Sequence, residues 1–305
     1  MKLIESKVEV IEQQPGLEGV YKQIELAGRT CYKSEDKITE DSAKEFVDRM
    51  IKSKHGAMLE HGTVYLKITY PLSDTLSKEE FEEWFDEHRF DYTLGHVLCN
   101  NKYTKTRTME DDTHQTLYIT TNMRVLCTNT FNSLPWSNYI CEPTEHHEKR
   151  ITARFTCDRG VSHEIVRHRV MSFAQESTRY CNYGKDKFGN EVTFIKPTWY
   201  NVVSDEQKEA FDDFLSIAEE AYMALLDKWE NRIPDKRYKT KFKGNPLTAQ
   251  QARQVLPNAL KTEIVVTGFE SDWEHFFELR TAGAAHPDMR KLALELQEKL
   301  NSVNK

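Results

Sequence analysis

Hydrophobic and polar positions follow regular periods along most of the chain, and these periods predict a mixture of strands and helices. Alternating positions indicate strands over residues 2–12, 62–70, 116–121, 150–156, 193–195 and 263–267. Helical spacing marks a first helix from Leu17 that closes near Gly28, which would leave Arg29 to Tyr32 in a loop. A short helix is predicted from Met123 to Phe131.

Capping signals predict where five further helices begin. Each signal is a serine or threonine followed three residues later by Glu or Gln, and the five first residues are Ser42, Ser77, Ser204, Thr248 and Ser271. The helix after Ser204 has an apolar stripe that predicts a buried face: Phe211, Phe214, Ala218, Tyr222, Leu225 and Trp229. In the last of the five helices, Trp273, Phe276 and Phe277 are expected to point inward.

Composition narrows the class of protein. The 305 residues carry a net charge of −7, which argues against nonspecific binding along nucleic acid. No apolar run approaches the roughly 18 residues that span a bilayer, and charged residues follow Met1 too soon for a signal peptide. The six cysteines have no zinc-ligand spacing. We therefore expect a cytoplasmic protein with no membrane partner and no metal site.

One cluster of basic residues concentrates the candidate chemistry. Arg167-His168-Arg169 is followed after seven residues by Ser177 and then by Thr178-Arg179-Tyr180. Clustered guanidinium groups in an acidic chain need anionic partners, and the planar arginine fork suits phosphate. Helical spacing from Val161 to Ser172 predicts that this cluster lies on a helix, where Arg167 and Arg169 would diverge by about 200°. Two separate anions or two subunits would then be needed, unless the cluster is a solvated, salt-bridged face.

The basic cluster resembles the signature of the flavin-dependent thymidylate synthases, in which Ser172, Arg179 and Tyr180 also have counterparts. Three further segments are similar to elements of that family. They are the basic segment at Arg29, the His55 to His61 segment with Glu60, and the pair formed by Ala252-Arg253…Leu256-Pro257 and Leu279-Arg280. Without the resemblance, His55 and His61 would be interpreted as loop residues, and Arg253 and Arg280 as structural.

The resemblance implies a reaction and a set of site residues. The family converts dUMP to dTMP, with methylenetetrahydrofolate as carbon donor, NADPH-reduced FAD as hydride source and no enzyme nucleophile. Arg280 is implied to be catalytic, lying against the uracil where it stabilises negative charge. The residues implied on dUMP are Glu164, Arg167, Gln175, Glu176, Ser177, Thr178, Arg179, Arg253 and Arg280. Those implied on the cofactor side are His55, Glu60, Arg167, His168, Arg169, Gln175, Phe269, Ser271 and His275.

Several positions depart from the family pattern, mostly on the cofactor side. Glu164 replaces a common glutamine, and Ala174-Gln175 replaces Asn-Glu. Ala57 stands in place of a threonine, while Phe269 and Ser271 replace an Asn and an Arg that touch flavin. The chain also has no Gly-rich phosphate loop, so flavin binding depends on the resemblance alone. Two alternatives stay open: a nucleotide-binding paralogue without flavin chemistry, and an RNA uridine methylase.

The resemblance also bears on architecture. We expect an α+β fold of the thymidylate-synthase-complementing type, with a modest, largely antiparallel sheet and long helices packed around it. Compact members pass directly from the Glu60-His61 element to the strand at residue 150, so residues 71–149 are interpreted as an ordered insertion in a single domain of residues 1–305. The family's site is shared between subunits, which predicts a homotetramer.

Overall fold

Nine strands and ten helices are defined in the computed structural model, which describes residues 1–72, 75–127, 136–226 and 246–303. The strands are β1 (Lys2–Ile4), β2 (Lys7–Ile11), β3 (Thr63–Pro71), β4 (Lys105–Glu110), β5 (His114–Asn122), β6 (Arg150–Asp158), β7 (Ser172–Gln175), β8 (Thr193–Ile195) and β9 (Lys261–Phe269). The helices are α1 (Gly16–Tyr32), α2 (Ser42–Lys52), α3 (Gly56–Leu59), α4 (Lys78–Cys99), α5 (Met123–Cys127), α6 (Arg159–Ile165), α7 (Asp205–Leu225), α8 (Ala249–Ala252), α9 (Glu270–Arg280) and α10 (Pro287–Val303).

Two antiparallel sheets organise the described part of the chain. The four-stranded sheet has the order β2-β6-β9-β7, and the three-stranded sheet has the order β3-β5-β4. Strands β1 and β8 form a separate parallel pair. Long helices pack against both sheets, so the predicted α+β class with largely antiparallel sheets is confirmed.

Each antiparallel sheet has its own hydrophobic core. On the four-stranded sheet, Phe155 packs with Trp273 and Phe276 of α9, which confirms the inward stripe predicted for that helix. On the three-stranded sheet, α1, α2 and α4 cover β3 and β5. Residues 71–149 contribute many of the side chains in this second core, among them Leu94, Leu98, Leu117, Ile119 and Leu126. Whether this segment is an insertion in one domain stays a prediction.

The N-terminal elements differ from the sequence prediction in two ways. Residues 2–12 form two strands in different sheets instead of one. Helix α1 does not close near Gly28 but continues through Tyr32 and ends at Lys33, which adopts φ +47°. Gly28 serves close packing, because an added Cβ would lie 2.4 Å from the ring of Phe46. The predicted loop at Arg29 is therefore wrong.

Three of the five predicted caps are confirmed. The Oγ atoms of Ser77 and Ser204 accept from the backbone N–H of Glu80 and Gln207, at 3.3 and 3.4 Å. At Thr248 the reciprocal bond forms, in which Gln251 Oε1 accepts the Thr248 N–H at 3.0 Å.

Helix α2 begins at Ser42 as predicted, but neither Ser42 nor Ser271 forms a capping bond, because both serines already lie inside the first turn of their helices. Ser42 Oγ donates to Glu25 at 2.8 Å, and Ser271 Oγ donates to Glu148 at 2.5 Å. Helix α9 already begins at Glu270.

The buried face predicted for α7 is confirmed in part. Ala218 and Tyr222 are buried, and Phe211 and Leu225 pack against the same cluster. Phe214 is 57% exposed, so its assignment to the buried face is wrong. Trp229 and the end of the helix predicted from Met123 to Phe131 lie outside the described residues.

Candidate functional site

The signature segment follows a short helix rather than lying on one. Helix α6 is capped by Asp158, whose Oδ1 accepts from Val161 N–H at 2.9 Å, and it ends at Ile165. The backbone N–H groups of Arg167 and His168 then bond three residues back, each at 3.2 Å, as in a tight turn. From Ser172 the chain pairs as β7 with β9. The predicted helix through Arg169 is therefore wrong, although the helical spacing continues to Ser172.

The three residues of the Arg-His-Arg signature separate into two environments. His168 is buried, whereas Arg167 and Arg169 are exposed. Neither arginine side chain has a hydrogen-bond or ion-pair partner within the described ranges. Arg167 and Arg169 do not lie on a helix as predicted, but their guanidinium groups remain available for anions from outside the protomer.

The buried histidine joins a compact cluster with the end of α9, here called the Arg280 cluster (Glu164, His168, Arg280). Arg280 Nη1 donates to Glu164 Oε2 at 2.6 Å, and Nη2 donates to the Glu164 carbonyl at 3.1 Å. Its Nε donates to His168 Nε2 at 2.9 Å. Because an arginine has five N–H groups, two of them remain for a ligand.

His168 is held in one protonation state by this arrangement. Burial, together with the charge of Arg280, lowers the pKa of His168 to about 4. The ring is therefore neutral at pH 7, with Nε2 as acceptor and the proton on Nδ1. Phe276 packs against the ring edge-on at 4.9 Å between centroids, and the exposed His275 lies 6.1 Å away.

A second group of predicted residues lies beside the C-terminal end of α1. Arg253 Nη1 donates to Thr178 Oγ1 at 2.8 Å, and Arg179 Nε donates to Gln250 Oε1 at 3.2 Å. Ser177 N–H donates to the Cys31 carbonyl at 2.9 Å. Four residues predicted on the nucleotide thus lie together, and the arginines among them are exposed.

Gln175 and Glu176 have their polar groups engaged within the protomer. Gln175 Nε2 donates to Ser162 and Thr262 hydroxyls at 2.9 and 3.1 Å. Glu176 is 2% exposed and accepts from Tyr183 and Lys261, at 2.9 and 2.8 Å. Their contacts with ligands stay predictions.

A third group surrounds a cavity of about 420 Å³ between the two antiparallel sheets, here called the inter-sheet cavity. Glu60 and Phe269 are the two predicted cofactor residues that line it. Arg150, Ser172 and Asp272 line it from the four-stranded sheet and α9, and Lys105, Asn122 and Arg124 line it from β4, β5 and α5. The other seven predicted cofactor residues do not line this cavity, and His55 and Ser271 among them are exposed.

Arg150 is the main residue that the sequence did not indicate. Its Nη1 donates to the Glu60 carbonyl at 3.0 Å, and its guanidinium lies 5.5 Å from the ring centroid of Phe269. The register of β6 against β9 places Arg150 opposite Phe269. The local sequence does not indicate that an arginine at the start of a strand lines a cavity. The environment of Arg150 depends on which strand pairs with β6, so only knowledge of that pairing could have indicated it.

The described residues contain neither a metal-binding cluster nor a membrane-spanning helix. No group of three or more His, Cys, Asp or Glu side chains in these ranges could hold a metal ion. No helix in them is long and apolar enough to cross a bilayer.

Comparison with known proteins relates residues 141–304 to the family model described as thymidylate synthase complementing protein. A flavin-dependent thymidylate synthase of Geobacter sulfurreducens is 31% identical over 145 residues, which cover 48% of this chain and 53% of the relative. The enzyme of the same name from Mycolicibacterium vanbaalenii is 34% identical over 143 residues, covering 47% and 53%. The match thus spans about half the length of these relatives.

Among solved structures, the UMP/dUMP methylase PolB of Streptomyces cacaoi, bound with 5-Br dUMP, aligns with 99% of this chain and 93% of its own. Its TM-score is 0.41, at 16% sequence identity.

Proposed function

Because the chain belongs to the thymidylate synthase complementing protein family, we propose that it is a methyltransferase that converts dUMP to dTMP. In this proposal methylenetetrahydrofolate supplies the carbon, and NADPH provides the reducing equivalents through FAD. No enzyme nucleophile adds to the uracil. The names of the relatives support the flavin, and the residues below support the remaining roles.

The Arg280 cluster is the observation that carries this proposal. Methylation of C5 without a protein nucleophile requires the uracil to hold negative charge, and a fixed cation beside the ring lowers the cost of that charge. Three bonds to Glu164 and His168 hold the Arg280 guanidinium in one orientation. Its two remaining N–H groups would donate to the uracil, while neutral His168 keeps the guanidinium oriented without adding a second cation.

The surroundings of Ser177 support a binding role instead of nucleophilic attack. A serine nucleophile needs an adjacent base to take its proton. Across the described ranges, no histidine or carboxylate accepts a hydrogen bond from Ser177 Oγ. Ser177, Thr178 and the arginines of the second group would instead bind the nucleotide, with Arg179 and Arg253 directed to its phosphate.

The residues present fit a flavin nucleotide on grounds of charge. The exposed Arg167 and Arg169 have no partners among the described residues, and both would serve its phosphates. When bound, the reduced flavin supplies the hydride that completes the methyl group. Because two exposed arginines flank a buried histidine, we also propose that a neighbouring subunit completes the site, as in a homotetramer. A cytoplasmic location is part of the same proposal.

The experiment that tests the function combines a spectrum with a product assay. Purified protein is mixed with FAD, and its absorbance is followed as NADPH and then dUMP and methylenetetrahydrofolate are added. The expected result is a flavin band that bleaches with NADPH, followed by dTMP that depends on every component. Binding of dUMP without flavin reduction would favour the nucleotide-binding paralogue. Methylation of uridine in RNA, with dUMP left unchanged, would favour the RNA methylase.

A further inference from the structure

Strand β4 forms one edge of the three-stranded sheet and lies in the part of the chain that precedes the family-matched residues 141–304. All of its residues are exposed, and its register against β5 continues without a bulge. No strand within the described ranges pairs with its outer side. An exposed edge is a template for another strand, and natural edges are normally blocked by a bulge, a proline or charged side chains.

The turn between β4 and β5 determines which backbone groups of β4 face outward. Asp111 N–H donates to the His114 carbonyl at 3.0 Å, so these two residues form a hydrogen-bonded pair. Such pairs alternate along an antiparallel ladder, and the continuous register therefore turns the odd-numbered residues of β4 toward β5. The backbone N–H and C=O groups of Thr106, Thr108 and Glu110 consequently point away from β5, toward a second strand.

The sequence of β4 is complementary to itself across a two-fold axis. Two copies of one chain most often associate about such an axis, which makes their edge strands antiparallel and sets one residue opposite its own copy. With Thr108 at the axis, Thr106 lies opposite the partner's Glu110, so the outward-facing residues all form hydrogen-bonded pairs. Lys105 lies opposite the partner's Asp111, whose hydrogen bonds among the described residues use Oδ1 and leave Oδ2 for the lysine.

The neighbouring registers bring like charges together or lose contact. With Arg107 at the axis, this guanidinium lies opposite its own copy, and with Thr106 at the axis, Lys105 lies opposite the partner's Arg107. With Met109 at the axis, only residues 108–110 of the two strands overlap. Opposite charges stabilise a strand pair, whereas like charges directly opposite destabilise it. The basic residues that block this edge in other registers therefore select the register about Thr108.

We propose that β4 is a contact surface for a second copy of this chain, and that two β4 strands pair about Thr108 to join two three-stranded sheets into one. Charge complementarity across the axis favours this partner over an unrelated strand. The contact precedes the family-matched residues, so it is separate from the shared site proposed above. It goes beyond the proposed function because it holds whether or not the chain makes dTMP.

Cysteine cross-linking of the full chain tests the register. In Thr108→Cys the two introduced thiols lie opposite each other, with Cα atoms about 5.5 Å apart, within the range of a disulfide. Thr106→Cys is the matched control, because it is equally exposed on the same strand face but lies about 14 Å from its copy. With oxidised glutathione as oxidant, only Thr108→Cys is expected to form a covalent dimer that dithiothreitol reverses. The parent chain, with its six native cysteines, gives the background.

A charge substitution tests the same contact without a covalent bond. Thr108→Lys sets two positive charges opposite each other at the axis. It is expected to raise the protein concentration at which the assembly half-dissociates about two- to fivefold at low salt, as measured by analytical ultracentrifugation. Thr106→Lys adds the same charge opposite the partner's Glu110, so this concentration should stay unchanged or fall.

The outcomes decide between this contact and random collision. Absence of the Thr108→Cys dimer, or equal cross-linking of both cysteine variants, overturns the contact, as does unchanged association of Thr108→Lys. Cross-linking of Thr106→Cys alone would mean another register and would overturn pairing about Thr108. A dimer confined to Thr108→Cys, in a protein that forms no dTMP, would refute the proposed function and leave this inference intact.

Discussion

Arg280 and Arg150 represent two ways of placing a guanidinium beside a histidine. Arg280 lies at the end of α9, pairs with the Glu164 carboxylate and donates to His168. Arg150 lies at the start of β6, donates to neutral oxygens only among the described residues, and lies near the fully buried His61. Desolvation and the neighbouring arginine lower both histidine pKa values, to about 4 for His168 and about 3 for His61. Both histidines are therefore neutral at pH 7.

The difference in charge compensation indicates different roles. Three bonds fix the orientation of Arg280, and its carboxylate partner is half-buried, so it is suited to stabilise charge that develops during a reaction. Arg150 forms no ion pair within the described ranges, and the carboxylates of Glu60 and Asp272 act on its charge only from a greater distance. The three predictions below test this distinction, from the largest expected effect to the smallest.

Arg280→Lys should lower the rate of dTMP formation by about 10²–10³, the usual cost of losing one preorganised stabiliser of developing charge. Lysine keeps a positive charge but cannot donate to Glu164 and His168 in one plane. dUMP binding should be largely retained, because the residues proposed for the phosphate are unchanged. Steady-state kinetics and dUMP titration of the same preparation separate the two effects.

Ser177→Ala provides the contrast for Arg280→Lys. It should keep measurable dTMP formation, since no covalent bond to Ser177 is proposed. The mechanism would be wrong if Arg280→Lys turned over at the parental rate while Ser177→Ala was inactive and an adduct was trapped on Ser177.

His61 should make folding depend on pH. Its pKa is about 3 in the folded protein against an ordinary 6.5, so the unfolded chain binds the extra proton as the pH falls below about 6.5. The contribution of neutral His61 to the free energy of unfolding is fully present above about pH 6.5. About 2 kcal/mol of this contribution is lost when the pH falls to about 5. Urea unfolding across this range should show the loss in the parent and a shallower slope in His61→Asn.

His61→Asn changes the free energy of unfolding by a constant amount as well as changing how that free energy varies with pH. Comparing only the variation with pH removes the constant amount. Asparagine leaves a smaller side chain beside Thr267, and that packing cost does not vary with pH. His96→Asn removes an exposed histidine of α4 and should leave the slope unchanged. Equal slopes in the parent and His61→Asn would show that His61 is not held neutral by burial beside Arg150.

The strands and most helix starts could be predicted because their signals are local. Alternation located β3, β5, β6 and β9, and three capping signals located α4, α7 and α8. Ser42 and Ser271 carry the same signal, and α2 does begin at Ser42, but both serines lie inside the first turn, where their hydroxyls donate to Glu25 and Glu148. A capping signal in the sequence therefore locates a helix start only to within one or two residues.

The candidate site was predictable in its residues but not in its geometry. The resemblance identified Glu164, His168 and Arg280, which the structure brings within hydrogen-bonding distance of one another. It could not indicate that α6 ends at Ile165 and that a turn precedes β7 at Ser172, because the helical spacing continues across both. Arg150 was missed because its partial burial follows from the β6–β9 register and from the second sheet that covers it.

Glu164→Gln would remove the main difference between Arg280 and Arg150. The amide oxygen can still accept from Arg280 Nη1, so the orientation of the guanidinium is kept while its charge is no longer neutralised. The Glu164 and Arg280 side chains are 32% and 19% exposed, so solvent screens the pair and the effect is small. We expect dUMP affinity to rise about threefold at low salt and the gain to shrink as salt increases. Titrations with dUMP at two ionic strengths measure both quantities.

Glu274→Gln is the matched control for this prediction, because it removes the same charge from an exposed position of α9. It should leave dUMP affinity unchanged at either ionic strength. A large loss of affinity in Glu164→Gln alone would mean that the carboxylate itself binds the nucleotide, and that Arg280 is not limited by its partner. Increased affinity at low salt would mean that Glu164 restrains Arg280, and unchanged affinity would contradict that prediction.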